Sequence, residues 1–292
     1  MLGETLDYLI LRALAHRRNL ATEEELDTRA NRVSAQSFEE QGVLRVRKLI
    51  DRFEGQLPIN PNLRYLDLGC GTGEVTIAFS KLGAKQITGV DFLPRNIQKA
   101  RVFAKQIGVG QNVRFICEDL HTWTPEIKYD VLLSLDAFEH IQNPKRLLQK
   151  MADFITPNGI AVLSFGPLFH SPFGDHMEGF FRFQIPWRGA LFSEKAMIRV
   201  RLQCFRPTDP ANCYQEIRGG LNLIRYSDFL NYVRDTGWEF DRLMVDTFVD
   251  RLPLLRFASD IVIRVPTVRD YCVQYVYAVL RHRSHSLARQ DD

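Results

Sequence analysis

The chain has 292 residues, 45% of them hydrophobic and 25% charged, and carries a formal net charge of +3. That length holds one large domain, or one domain with a sizeable insertion, and the composition is that of a globular protein with a substantial core. The charge is too small to imply a nucleic-acid partner, and none is expected. Five cysteines without regular spacing or a CxxC pair exclude a disulfide framework and a cysteine-built zinc site. Cys70 and Cys117 read as small apolar residues in or beside buried strands, which fits a reducing, cytoplasmic setting.

Leu2, Leu6, Leu9, Ile10 and Leu14 stand at near-helical spacing, interrupted by Glu4, Asp7 and Arg12. No transmembrane segment and no signal peptide is read there. The spacing predicts an amphipathic helix packed on the domain. Peripheral contact with a membrane surface, helped by Arg17 and Arg18, is the lesser alternative. A charged stretch follows from Thr22 to Arg32, and 36–54 reads as a second helix with Phe38, Leu44, Leu49, Ile50 and Phe53 apolar among charges. Residues 1–55 are taken as a helical N-terminal lead and 56–292 as the main domain. The run Gly55 to Asn62 is a loop.

From Arg64 the pattern changes to strand and helix in alternation. Strands are predicted at Arg64 to Leu68, Gln86 to Val90, Val113 to Cys117, Tyr129 to Leu135 and Gly159 to Phe165, with helices at Glu74 to Leu82, Arg95 to Ile107 and Pro144 to Phe154. This is the pattern of a parallel sheet with helices on both faces. Nearly continuous apolar strands such as Val131-Leu132-Leu133 suit burial on both sides. Residues 166–225, rich in phenylalanine and proline, break the alternation and read as a lid insertion after strand five. A helix then runs from Ser227 to Thr236, stopped by Gly237, and two more strands lie within Trp238 to Val249 and Tyr271 to Leu280. Asp250 to Arg269 has no clear form, and the polar tail from Arg281 is expected to fray.

The chemistry gathers at Leu66-Asp67-Leu68-Gly69-Cys70-Gly71-Thr72-Gly73, a strand that runs into a glycine turn and then a helix. Glycines let the backbone approach a ligand, and the helix start favours anionic ligand atoms. The turn reads G-x-G-x-G, with Glu74 where a dinucleotide fingerprint wants its third glycine, and no P-loop lysine follows. Asp67, inside the strand, would repel a pyrophosphate and attract an ammonium or a sulfonium. Asp91 ends the second strand, where an acid can take both hydroxyls of a ribose. Asp119 ends the third, where an adenine amino group could be received.

Taken together, LDLGCGTG (66–73), GVD (89–91), CEDL (117–120), SLDAFEHIQNP (134–144) and ITPNGIAVLS (155–164) resemble the core of class I S-adenosylmethionine-dependent methyltransferases, nearest the ubiquinone and menaquinone biosynthesis branch. The resemblance covers Leu66 to Phe165. It implies a Rossmann-like, seven-stranded, mostly parallel sheet with an antiparallel last strand, and S-adenosylmethionine as methyl donor. It places Asp67 and Gly69 near the methionine end, with Gly71 and Gly73 in the same turn. It places Asp91 on the ribose, Phe92 beside the adenine, Asp119 with Leu120 at the adenine edge, and the Leu135 backbone against the cofactor. The lead, 166–225 and 250–269 have no matching motif.

Methyl transfer from a sulfonium is an in-line displacement, so alignment does most of the work and can contribute ~7–11 kcal/mol. A base is needed where the acceptor is a hydroxyl. Candidate bases are His140, just past strand four, and His170 and His176, just past strand five, with Asp175 able to orient or charge His176. No metal is expected. The aromatics Phe169, Phe173, Phe180, Phe181, Phe183 and Trp187 suggest an apolar pocket for a small, partly apolar hydroxyl acceptor. C- or N-methylation of a small molecule, and a non-catalytic cofactor-binding protein on the same fold, remain alternatives. Methylation of a nucleobase is disfavoured by Ser134-Leu135-Asp136-Ala137 after strand four, and an NAD enzyme by Asp67 and Glu74. Arg199, Arg201 and Arg206 read as a solvated face rather than a phosphate site.

Overall fold

A computed structural model of the chain describes residues 2–16, 34–177, 179–209, 211–251 and 259–283. Arg17, Arg18, the charged stretch 22–32, part of 250–269 and the tail beyond 283 lie outside the described residues. In chain order the elements are α1 (Leu2–Leu14), α2 (Ala35–Arg52), β1 (Arg64–Leu68), α3 (Glu74–Leu82), β2 (Gln86–Asp91), α4 (Pro94–Ile107), β3 (Val113–Cys117), β4 (Tyr129–Leu135), α5 (Pro144–Phe154), β5 (Ile155–Phe165), α6 (Arg188–Leu191), α7 (Glu194–Cys204), α8 (Tyr226–Asp235), β6 (Trp238–Thr247), α9 (Ser259–Arg264), α10 (Pro266–Cys272) and β7 (Val273–His282). Among the described residues no helix is long and apolar enough to cross a membrane.

The strands form one seven-stranded sheet in the order β3-β2-β1-β4-β5-β7-β6, parallel through β5, with β7 antiparallel to both neighbours. The expected sheet is therefore present, including its antiparallel last strand. Between β3 and β4 the chain, 118–128, is turn and coil. One local expectation shifts. Tyr271 and Cys272 end a helix that Pro266 begins, so β7 starts only at Val273.

Alternation along the strands divides the core. Leu66 and Leu68 face α5 and α8, packing with Leu147, Met151, Phe154, Phe229 and Trp238. Tyr65 faces the other way, against Leu49 of α2, Phe53 just after it, and Val75 and Phe79 of α3. The buried Trp238 indole donates to the Leu148 carbonyl at 2.9 Å, which satisfies its one polar atom inside the first layer.

The insertion has its own core. Phe169, Met177, Phe181, Met197, Val200, Phe205, Tyr214 and Leu221 pack around Leu11 and Ala15 of the N-terminal lead. Backbone bonds from His16 to the Phe180 carbonyl (3.0 Å) and from Arg182 to the Leu14 carbonyl (2.9 Å) fasten the two segments. The predicted amphipathic helix thus packs on the lid by one face, leaving Leu6 and Leu9 exposed. Leu11 is 0% exposed, so Leu11→Ala should cost about 2–5 kcal/mol in denaturant-melt stability. A cost well under 1 kcal/mol would show that α1 is not part of this core.

Candidate functional site

The strands β1 to β4 are parallel, so their ends meet at one edge of the sheet. There Gly69, Gly71 and Gly73 have φ of +78°, +53° and +84°, a region that favours glycine. A Cβ on Gly69 would also stand 2.9 Å from the Ala137 side chain. The turn is held from β2. Gly69 and Cys70 N–H donate to the Val90 carbonyl at 2.9 and 3.0 Å. Gly71 N–H donates to the Asp91 carboxylate at 3.0 Å. Asp91 further accepts from Leu93 N–H (2.9 Å) and Asn96 Nδ2 (3.1 Å). A carboxylate has about four acceptor positions, so Asp91 keeps about one for a ligand.

A cavity of about 550 Å³ opens over this edge, within the size range of cofactor sites. Of the predicted residues, Gly69, Asp91, Phe92, Asp119, Leu120 and His140 line it. Phe92 presents a ring that is 65% exposed. Asp119 caps its own turn, accepting from His121 N–H at 2.8 Å, and remains exposed. Asp67, Gly71, Gly73 and Leu135 do not form the wall. Asp67 shares the parity of Tyr65, so its carboxylate turns into the α3 interface and accepts from Thr76 Oγ1 at 2.6 Å. Burial, partly opposed by that bond, pushes its pKa up to about 6. It braces the helix behind the turn. Leu135 packs in the α2/α3 layer, and Asp136 and Ala137 after it reach the cavity.

Arg45 of α2 is the main residue that sequence reasoning missed. Its guanidinium pairs with Asp136 and lies 3.4 Å from Glu74, at the two segments that flank the glycine turn. Burial works against its charge, but the Asp136 and Glu74 carboxylates outweigh it and raise its pKa. The close seat of α2 depends on Gly42, whose added Cβ would stand 3.0 Å from the Glu74 carbonyl oxygen. The acids and the exposed ring that line the cavity fit the ammonium, hydroxyl and adenine groups of S-adenosylmethionine, whereas Arg45 lines a separate groove with Asp136, Tyr275 and Tyr277.

A second cavity, about 460 Å³, adjoins the first. His140, Leu93, Asn96, Ile217, Gly219 and Gly220 line both. His140 sits on a 3-10 turn, Phe138–His140, with Nδ1 2.7 Å from the Gly220 carbonyl oxygen. A carbonyl only accepts, so Nδ1–H donates and the neutral ring keeps its lone pair on Nε2. His176 lines the second cavity and donates from Nε2 to the Pro167 carbonyl at 3.2 Å. Its ring meets that of His140 at 5.3 Å, nearly perpendicular. Burial, then the neighbouring His140, lowers its pKa. Asp175 does not serve His176. Both of its oxygens are taken by Arg188, at 2.8 and 2.9 Å, and both side chains are 1% exposed.

His170 is not brought to either cavity. It lies between the Phe169 and Tyr271 rings, and burial lowers its pKa. The expected aromatic pocket is likewise smaller than the sequence suggests. Phe169 and Phe181 belong to the lid core, Phe173 and Trp187 pack on Phe248, and Phe183 is exposed. Phe180 alone of the six lines the second cavity. Among the described residues no group of three His, Cys, Asp or Glu could hold a metal ion.

Known proteins agree with this architecture. A family described as a methyltransferase domain matches residues 38–240. The ubiquinone biosynthesis O-methyltransferase of Arabidopsis thaliana mitochondria is 33% identical over 103 residues, 35% of this chain and 32% of that protein. The protein of the same name from Maricaulis maris is 35% identical over 108 residues, 37% of this chain and 42% of that one. The chain thus spans less than half the length of these two curated relatives. An S-adenosylmethionine-dependent methyltransferase from Mesorhizobium loti superposes with a TM-score of 0.51 at 16% identity, over 80% of this chain and 96% of that one, a likeness of fold.

Next to His140, Glu139 is buried. One of its oxygens accepts from Gly166 N–H at 3.2 Å and the other has no hydrogen-bond partner. Burial pushes its pKa up to about 8. The folded state therefore holds a proton that the unfolded chain releases above the ordinary glutamate range, and stability falls as pH rises from about 4.5 to about 8. Glu139→Gln should stabilise the protein, little at pH 5 and by several degrees of Tm at pH 8. Melting curves across that range check it, and a gain independent of pH would mean that Glu139 is ionised in the fold.

Proposed function

The chain belongs to the methyltransferase-domain family, whose methyl donor is S-adenosylmethionine, and from that premise we propose that it methylates a hydroxyl group of a small molecule with His140 as the base. The observation that carries the reading is the placement of His140. It is the histidine shared by the cofactor cavity and its neighbour, and its Nδ1–H is committed to Gly220. That leaves Nε2 as the acceptor of a proton. The O-methyltransferase names of the curated relatives support a hydroxyl target.

S-adenosylmethionine would supply a methyl group already activated on a sulfonium. This chain's residues do the rest. Asp91 would take a ribose hydroxyl and Asp119 the adenine amine, Phe92 would cover the base, and Arg45 would hold Asp136 at the cavity wall. Asp67 and Thr76 keep α3 seated under the turn. The acceptor would enter from the second cavity with its hydroxyl at His140 Nε2. As the bond from oxygen to the methyl carbon forms, the carbon–sulfur bond would break, its electron pair leaving with the sulfur as S-adenosylhomocysteine, and the hydroxyl proton would pass to that nitrogen.

Calorimetry should show S-adenosylmethionine and S-adenosylhomocysteine binding, and no binding of NAD. Arg45→Ala and Asp119→Ala should each weaken S-adenosylhomocysteine. Failure of both methyl-donor ligands to bind would end the reading. With labelled donor and a panel of hydroxyl acceptors, His140→Ala should lower kcat about 10²–10⁴-fold. Its S-adenosylhomocysteine affinity should stay within a few-fold of the parent. Undiminished turnover would remove His140 as the base and leave cofactor binding standing.

A further inference from the structure

His140 is carried by a turn too short to hold itself. Phe138–His140 is a single 3-10 turn between β4 and α5. A helix end leaves its last carbonyls without a partner inside the helix. Phe138 and Glu139 are buried, where an unpaired carbonyl is costly. One residue of the insertion, Asn222, meets the carbonyls of this turn. Its backbone N–H donates to the Glu139 carbonyl at 2.9 Å. Its side-chain Nδ2 donates to the Phe138 carbonyl at 2.7 Å and to the Ile141 carbonyl at 2.9 Å. Its Oδ1 accepts from Ile224 N–H at 3.1 Å. A carbonyl only accepts and an N–H only donates, so these partners fix which end of the amide is which.

Asparagine suits this place because it carries two donors and an acceptor on one short, planar group. Aspartate would set a carboxylate against two carbonyl oxygens, and serine has a single donor. Asn222 is itself held from both sides. Leu221 before it lies in the core of the insertion, with its N–H on the Tyr214 carbonyl at 3.0 Å. Ile224 after it lies in the core layer that also packs Phe138. Gly220, two residues earlier, accepts from His140 Nδ1. Gly220 therefore orients the ring, and Asn222 fixes the backbone on which the ring stands. Asn222 lines neither cavity. A general base works only within hydrogen-bond reach of its proton, about 2.6–3.2 Å. A displacement of about 1 Å can cost about 10²-fold in rate.

We propose that Asn222 is the positioning residue for the base. It fixes the turn that carries His140 and so sets Nε2 against the acceptor hydroxyl, without touching acceptor or cofactor. This rests on the reading of His140 as the base.

The test uses the full chain loaded with S-adenosylhomocysteine, its histidines labelled with nitrogen-15. In the parent, nitrogen NMR should show His140 as one tautomer with its proton on Nδ1. In Asn222→Ala that signal should broaden or split between tautomers, while the His121 ring stays as it was. An unchanged His140 signal would overturn the proposal. The second measurement takes the hydroxyl acceptor that turns over best in the labelled-donor panel. Asn222→Ala should lower kcat at least tenfold, with a smaller change in acceptor KM and S-adenosylhomocysteine affinity within a few-fold of the parent. In a His140→Ala background the same change should cost nothing further. An equal fall of kcat in both backgrounds, or none in the first, would make Asn222 a structural residue only and sink the proposal. Should Asn222→Ala fail to fold, Asn222→Ser, which keeps one donor, is read by the same criteria. Undiminished turnover in His140→Ala would instead overturn the base reading and this proposal with it, leaving Asn222 as a clamp on the turn.

Discussion

The Asp91 carboxylate takes hydrogen bonds from Gly71, Leu93 and Asn96, and so ties the end of β2 to the turn after β1 and to the start of α4. The ligand end of the sheet depends on this junction. It holds a run of left-handed glycines that no side chain could replace without strain. It also sets Leu93 and Asn96 where they wall both cavities. An acid at this position therefore does two jobs, shaping the turn and lining the cavity. Charged acceptance of backbone N–H groups is strong enough to justify its near-complete burial.

Much of this was readable from the residues. The sheet strands from β1 to β5 announce themselves by apolar runs punctuated with glycine, and the order of strand, turn and helix brings their C-terminal ends together. Gly69, Asp91, Phe92 and Asp119 reach the cavity because a strand-end position is fixed by local chain geometry. Asp67 was harder. Its position in the strand places it on the α3 side, and only the strand's alternation, counted from Leu66 and Leu68, could have shown that it turns away from the cavity. Arg45 carries no motif. It arrives beside the glycine turn through the packing of α2 on α3, a contact between segments that sequence reading took as separate.

The insertion was the least legible part, for a physical reason. Its core is assembled from α1 and from residues nearly two hundred positions further along, and no local period reports such a partnership. The arginines of α7 show the same limit. Arg199 does lie outside, stacked on Tyr8 at 3.9 Å, as a solvated face would have it. Arg201 and Arg206 do not, because Asp209 and the 211–221 segment lie beside them. The Gly219-Gly220 pair, both at positive φ, was the available signal of a tight turn there.

Two buried ion pairs give this insertion a defined form. Arg188 with Asp175 and Arg201 with Asp209 lie almost wholly out of water. Such pairs add little net stability, because desolvating both charges offsets most of their attraction. Their effect here is geometric. The forked bond to Asp175 fixes the chain between Leu168 and Met177, from which His176 reaches His140. The pair at Asp209 fixes the segment whose Gly220 carbonyl sets the His140 tautomer. The His140 ring is thus oriented by the insertion and not by the sheet that carries it. The insertion thus sets the orientation of this ring, and through Ile217, Gly219 and Gly220 it also walls the cavity over the glycine turn.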